Sequence, residues 1–239
     1  MYEIFADLHI HIGRSENGKP IKITGARSLN FANIAKECYE RKGIQVAGII
    51  DCASPYVIED IEKFLKTGDA YELKDGGIIY KDKVCILLGS EVETSEKGRN
   101  GKSGSAHNVC FFPYLKDIKG FSNELAKHVK NVTLSTQRSD LSGYDLVDIV
   151  EKYNGIVIPA HIFTPHKSYY GNCTDRLKDI FKEKYDKIFA VELVLSSDTF
   201  LADEISELEN KTFVTNSDAH SLPKIAREYN KMQVEDISF

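Results

Sequence analysis

The strongest constraint on this chain is an alternation. Short apolar, β-branched runs stand at 2–8, 46–51, 84–91, 108–112, 156–161, 190–195 and 212–216, with amphipathic stretches among them. A repeat near two marks strands, and a repeat near 3.6 marks helices. Runs such as VAGII (46–50) and GIVIP (155–159) do not alternate, so they predict strands buried on both faces, as in a parallel sheet. Seven strands interleaved with helices predict an α/β fold. One helical face carries Phe31, Ile34, Ala35, Cys38 and Tyr39 and stops at Gly43; a second carries Ile58, Ile61, Phe64 and Leu65 after Pro55. Ile149, Val150 and Tyr153 form a third, ended by Gly155. Thr174 is the expected cap of a helix carrying Leu177, Ile180 and Phe181. Leu201, Ile205 and Leu208 mark another, and Ser221 is the expected cap of a last helix near Pro223.

Size and composition narrow the class further. The 239 residues suit one such domain, and 42% hydrophobic residues can fill its core. No apolar run approaches the roughly 18 residues of a spanning helix. The opening MYEIFADLHIHIG lacks the basic and apolar regions of a signal peptide, which predicts a cytoplasmic protein without a membrane partner. Five widely spaced cysteines with no CxxC argue against a disulfide framework, a disulfide-linked partner and a thiolate zinc knuckle. The net charge of -5 disfavours indiscriminate nucleic-acid binding. Two or three bound divalent ions would add roughly +4 to +6 and bring the sum near zero.

The choice between an open sheet and a closed barrel turns on polar residues. No GxGxxG follows the first strand, so the dinucleotide reading is weak. Instead, His9 and His11 end the first strand after Asp7, Asp51 the second, Glu91 the third and His161 the fifth. His107 opens the fourth, Glu192 lies in the sixth, and Asp218 and His220 end the seventh. In a β/α barrel such positions converge on the mouth at the strands' C-terminal ends. Imidazoles mixed with carboxylates suit zinc, manganese or iron, with magnesium possible, and they outnumber the needs of one ion. Paired ions serve phosphoryl chemistry. The metal candidates are therefore His9, His11, Asp51, Glu91, His107, His161, Asp218 and His220, for two or three divalent ions. Asp218, Glu91, His161 and His220 are the expected catalytic set. His128 reads as a solvated helix residue, and His166 lies in a loop.

The ordered words DxHxH (7–11), a strand-end Asp51, GSE (89–91), His107, PAH (159–161) and SDAH (217–220) resemble the PHP, or polymerase and histidinol phosphatase, superfamily. That resemblance implies a distorted seven-stranded (β/α) barrel with a metal site at the C-terminal mouth and phosphoesterase activity. It also implies ligand sets. His9, His11, Glu91 and Asp218 would hold one ion, and Glu91, His107 and His161 a second. A third ion in the family uses a His after the second-strand Asp, another shortly beyond DxHxH, and the His of SDAH. Here those positions offer Cys52, no histidine near Arg14 or Ser15, and His220. Asp7 is the expected partner orienting a histidine. The words KITGARSLN, GIIDCASP, NVTLSTQR and PAHIFTPHKSYYG further resemble the catalytic domain of the endonuclease Q family and its bacterial relatives. That resemblance implies DNA as substrate, cut 5′ of deaminated bases or abasic sites. It also implies that residues 1–239 are a single catalytic domain, without the relatives' C-terminal zinc-binding and base-recognition domains.

The substrate side is open to more than one reading. Segment 94–105, TSEKGRNGKSGS, is either a surface loop or a mobile basic flap over a phosphate backbone. Arg14, Arg138 and Lys167 are candidate phosphate contacts, and Tyr169 and Tyr170 could stack on a base or simply pack. A helix capped by Ser221 would favour an anion beside Asp218. Two rival functions remain: a small-molecule phosphomonoesterase of the histidinol-phosphatase type, and a non-catalytic metal-binding module.

Overall fold

The computed structural model describes residues 1–98, 101, 103–194 and 197–239. All seven expected strands form, as β1 (Tyr2–Ile10), β2 (Val46–Ile49), β5 (Val84–Lys97), β6 (Ser103–Phe112), β7 (Ile156–Pro159), β8 (Ala190–Leu193) and β9 (Thr212–Thr215). Three more were not expected: β3 (Ala70–Glu72), β4 (Ile78–Tyr80) and β10 (Asn230–Val234). The sixth run was read to residue 195, which lies outside the described residues.

The sheet is mixed, which corrects the parallel expectation. β1, β2 and β5 are parallel, but β6 runs antiparallel to both β5 and β7. The reason is the short link between Lys97 and Ser103: a tight connection makes a hairpin, whereas a parallel return needs a long crossover. β6 therefore runs opposite to β5 and β7, and its early residue His107 reaches the end where those strands finish. β10 pairs antiparallel with β1, and β4 pairs antiparallel with β5.

A closed seven-stranded barrel ladder is not seen among the described residues. β8 and β9 form their own parallel pair. β7 ends at Pro159, which has no N–H to donate, and His161 then turns with φ 32°. The residues after β7 reach β8 through the Ile162 N–H, which donates to the Glu192 carbonyl at 3.1 Å, and the His161 N–H, which donates to the Glu192 carboxylate at 3.0 Å. Beyond β9, Ala219 bridges back to β1 through the His11 N–H and the His9 carbonyl.

Both faces of the strands are buried, as their unbroken apolar runs predict. Ala47 and Ile49 belong to a large core with Phe31, Ile34, Phe121, Val150 and Phe181, beneath the helices. Val46 and Ile50 belong to a second cluster with Leu8, Val109, Ile158 and Val214, between the strands. The helices are α1 (Phe31–Glu37), α2 (Pro55–Lys66), α3 (Leu115–Leu125), α4 (Gly143–Lys152), α5 (Leu177–Phe181) and α6 (Thr199–Asp203). A π turn over Cys38–Lys42 extends α1 to Gly43, whose φ of 66° suits glycine. Pro55 opens α2 as expected.

Several local expectations fail. Thr174 does not cap α5; the Leu177 N–H instead donates to the Glu207 carboxylate at 2.8 Å. The run containing Leu201, Ile205 and Leu208 breaks into α6 and a 3-10 turn. Ser221 makes no side-chain cap, and only a three-residue 3-10 turn follows it. His128 lies in a turn after α3, 2.8 Å from Asp140.

Candidate metal centre

A bulge in β1 starts the site. Asp7 pairs with Ala47 but Ile10 with Ile49, so one extra residue is accommodated between them on β1. β1 comes so close to β2 here that a Cβ on Gly48 would lie 2.4 Å from the Leu8 carbonyl oxygen. His9 and His11 both turn inward and are buried. Glu192 on β8 sits 2.7 Å from His9 Nδ1, and also accepts from Asn216 and from the His161 N–H. This leaves His9 Nε2 facing Asp218 Oδ1 and Glu91 Oε1, each at 3.6 Å, with no hydrogen-bond partner of its own. Asp51 repeats the arrangement at His11: its Oδ2 lies 3.0 Å from Nδ1 and accepts the Ile12 N–H. His11 Nε2 then lies 3.3 Å from Asp218 Oδ1. His9, His11 and Asp218 can thus offer three ligand atoms within 4.8 Å of one another.

Glu91, His107 and His161 form a second such group. Glu91 Oε1 is 2.8 Å from His107 Nδ1 and 3.5 Å from His161 Nε2. The same carboxylate approaches His9 and His11 at 3.6 Å, so Glu91 stands between the two groups. His161 Nδ1 is held by Thr164 Oγ1 at 3.1 Å. His161 and Asp218 both have left-handed backbones, with φ 32° and 44°. Non-glycine residues adopt that region at a cost, which the surrounding packing and hydrogen bonds must offset.

Opposed charges set the electrostatics. Burial disfavours a charged imidazole at His9, but the Glu192 carboxylate, with Asp218 and Glu91, outweighs it and raises the pKa to about 10. Burial likewise works against ionised Glu91, yet His107 and Lys22 hold it well below the usual carboxylate range. Asp218 is also depressed: burial opposes this, but His11 and His220 prevail. Three buried imidazoles, His9, His11 and His107, are thus raised by the carboxylates of Glu192, Asp51 and Glu91, the same negative charge that would attract a cation. The donor set fits a borderline metal: imidazole nitrogens mixed with carboxylate oxygens, and a buried Nε2 on His9 that nothing in the protein satisfies.

Other expected residues fall in different places. Asp51 is in neither group and orients His11 instead. Asp7 orients no imidazole; its carboxylate accepts the backbone N–H groups of Ser217 and Ala226. His220 lies at the rim, 3.3 Å from Asp218 and 2.9 Å from Thr24. Cys52 is buried, its thiol donating to the Ile49 carbonyl. Lys167 pairs with Glu93 at 3.0 Å, and Arg138 donates to Ser95. Arg14 donates to the Gly18 carbonyl, and His166 is exposed. Tyr169 is buried with its hydroxyl on Asn108, and Tyr170 stacks on Phe163, so both pack rather than await a base. Segment 94–105 is largely the β5–β6 hairpin, with Thr94 buried; Arg99, Asn100 and Lys102 lie outside the described residues. With only a 3-10 turn after Ser221, no helix N-terminus faces Asp218.

Sequence reasoning missed the orienting role of Glu192 and missed Lys22 altogether. Lys22 Nζ lies 3.1 Å from Glu91 Oε2 and 2.6 Å from Thr136 Oγ1. Burial opposes its charge, but Glu91 and Asp51 keep it protonated. Its loop folds back against the end of β1 through two glycines: a Cβ on Gly25 would stand 2.6 Å from Gly13 Cα.

No family model matches the chain. The Bacillus subtilis protein YqxK, described as uncharacterized, is 47% identical over the whole of this chain, which spans 60% of its length. In structure the chain matches the lesion-specific endonuclease PfuEndoQ of Pyrococcus furiosus, with a TM-score of 0.81 and 26% identity. All of this chain but 54% of that one is covered. Endonuclease Q in complex with a 27-mer duplex carrying an abasic lesion at the active site gives 0.80 and 26%, over 100% of this chain and 55% of that one. A two-domain Bacteroides vulgatus protein containing a predicted PHP-like metal-dependent phosphoesterase shares the fold, with a TM-score of 0.54 and 10% identity over 93% of this chain and 54% of that one. The chain thus has a mixed α/β fold of the PHP phosphoesterase kind, resembling the catalytic region of endonuclease Q.

Proposed function

We propose that this chain is a metal-dependent phosphodiesterase acting on DNA, the catalytic region of a repair endonuclease that cuts 5′ of deaminated bases or abasic sites. The observation that carries this reading is the pair of three-residue ligand groups with Glu91 between them. His9, His11 and Asp218 would hold one divalent ion, and Glu91, His107 and His161 the other. Zinc, manganese or iron suit these donors, and magnesium is possible. Such ions, when bound, polarise the ester, make water nucleophilic near neutral pH and offset charge on the leaving oxygen.

The chain's own residues prepare that chemistry. Glu192 and Asp51 grip the Nδ1 sides of His9 and His11 and turn their Nε2 lone pairs to the centre. Asp218 and His220 are the most open of the set, at 35% and 27% side-chain exposure, so an entering phosphate meets them first. His220, braced between Thr24 and Asp218, is placed to hand a proton to a leaving oxygen. Lys167 and Arg138, on either side of Glu93, are the proposed contacts to flanking phosphates, with Arg14 further out.

The 26% identity to a protein bound to lesion-bearing duplex supports DNA as the substrate class. Residues 1–239 are read as one catalytic domain whose strands wall a distorted barrel, with no strand ladder between β7 and β8 among the described residues. Because the match covers about half of those longer chains, lesion reading is assigned largely to their remainder. The test is a 5′-labelled duplex carrying one deoxyinosine or uracil, with Mn²⁺, with Mg²⁺ and with chelator. Metal-dependent nicking 5′ of the lesion is expected. Intact DNA alongside rapid hydrolysis of a small phosphomonoester would move the assignment to the histidinol-phosphatase type, and full activity after chelation would sink the metal mechanism.

A further inference from the structure

Lys22 opens the KITGARSLN word, and nothing in the proposed reaction yet uses it. It is held by its backbone as well as its side chain. The Lys22 N–H donates to the Ile12 carbonyl at 2.9 Å, one residue past His11, and the Ser135 N–H donates to the Ile21 carbonyl. The ammonium is thereby fixed between two walls of the centre. Its side chain is 16% exposed, so it reaches the mouth without being free in solvent.

Two of its three N–H donors are assigned, to Glu91 Oε2 and to Thr136 Oγ1. Thr136 donates in turn to the same Glu91 oxygen at 2.7 Å. Among the described residues the third donor has no acceptor. Glu91 is therefore divided: Oε1 faces His107, His161 and His9, while Oε2 accepts from Lys22 and Thr136 and lies 3.6 Å from His11 Nε2. The carboxylates of Asp51 and Asp218 add to the negative charge that Lys22 meets. A divalent ion seeking Glu91 Oε2 would have to displace an ammonium already bonded there, and would be repelled by it until it did.

We propose that Lys22 is a built-in cation of this centre, standing where a third divalent ion would otherwise balance Asp51, Glu91 and Asp218, and offering its remaining N–H to a non-bridging oxygen of the bound phosphate. This rests on the two-group metal reading above. It fixes the stoichiometry at two ions per chain. It also gives Lys22 a role that grows as negative charge builds on the phosphate during attack.

Ion counting tests the proposal apart from activity. Wild-type protein, Lys22→Met, Lys22→Gln and Lys22→Arg are saturated with Mn²⁺, gel-filtered and assayed by elemental mass spectrometry. Two ions are expected in wild type and Lys22→Arg. Three are expected in Lys22→Met and Lys22→Gln, because the vacated anionic corner attracts another cation. Three ions in wild type, or the same count in all four proteins, overturns it. The second arm is hydrolysis of bis(4-nitrophenyl) phosphate. Lys22→Met should lower kcat about 10²–10³-fold with KM changed far less, and Lys22→Arg should recover part of the loss. An unchanged kcat in Lys22→Met overturns the phosphate contact. Wild-type protein that binds two ions but hydrolyses no diester counts against the phosphodiesterase reading, and the ion counts then decide Lys22 by themselves.

Discussion

Glu192 shows how a residue without a ligand role controls the centre. It holds His9 Nδ1 while its other contacts fix Asn216 and the backbone of His161. Glu192→Ala should weaken metal binding about 10–100-fold, measured by competition with a chromophoric chelator. It should also cost about 1–3 kcal/mol in metal-free stability, because a buried ring loses its partner. Asp218→Asn and His161→Ala should behave differently. Both line the mouth, so each should lower nicking at least about 10³-fold while shifting the urea midpoint by no more than about 1 kcal/mol of stability. Loss of ordered structure in Asp218→Asn would mark a structural site. Cys52→Ser should leave the ion count unchanged, since the thiol is turned to the Ile49 carbonyl. The candidate ligands were legible because imidazoles and carboxylates are rarely placed together at strand ends. The division between binding and orienting was not. Asp51 and Asp218 look alike in a sequence, and only packing shows that one faces an Nδ1 and the other an Nε2.

Strand existence was readable from apolar runs, but strand direction was not. The second half of β6, NVCFF, is buried like its neighbours and carries no mark of direction, and only the short link after Lys97 reverses it. The edge strand β10, NKMQV, escaped notice because its outward residues are polar and its pairing with β1 is long-range. Helix capping fails for a similar reason. Thr174 has the right type and spacing to start α5, yet Glu207 supplies the acceptor from another part of the chain. The same carboxylate receives the Tyr170 hydroxyl. Glu207→Ala should therefore loosen α5 and the 169–173 turn together, lowering stability by about 1–3 kcal/mol in chemical denaturation. Thr174→Ala should cost less than about 1 kcal/mol, since its hydroxyl serves only a local turn at Arg176. Equal losses in the two variants would restore Thr174 as the cap.

For the molecule as a whole, ions held by the two ligand groups would link charge to stability. At an ion concentration about 100-fold above Kd, each site should add about 2.7 kcal/mol, so chelation should lower the thermal midpoint and re-addition restore it. An unchanged midpoint would mean that no ion prefers the folded state. Selectivity is expected to be weaker than chemistry. Extruding a base costs a few kcal/mol, and a net charge of -5 does little to hold DNA while that happens. Lesion-dependent nicking by residues 1–239 alone should thus fall well below that of the longer endonuclease Q chains, and equal lesion preference in the two would assign base reading to these residues. The order in which the chain supplies its ligands has one more consequence. Glu91 and His107 lie in β5 and β6 and His161 just after β7, whereas His9 and His11 wait for Asp218, which most of the sequence separates from them. On a ribosome the first pocket able to take a cation is therefore the central one. The other closes only once Asp218 has been made, so a chain that takes up ions during synthesis would fill the central group before the one at His9 and His11.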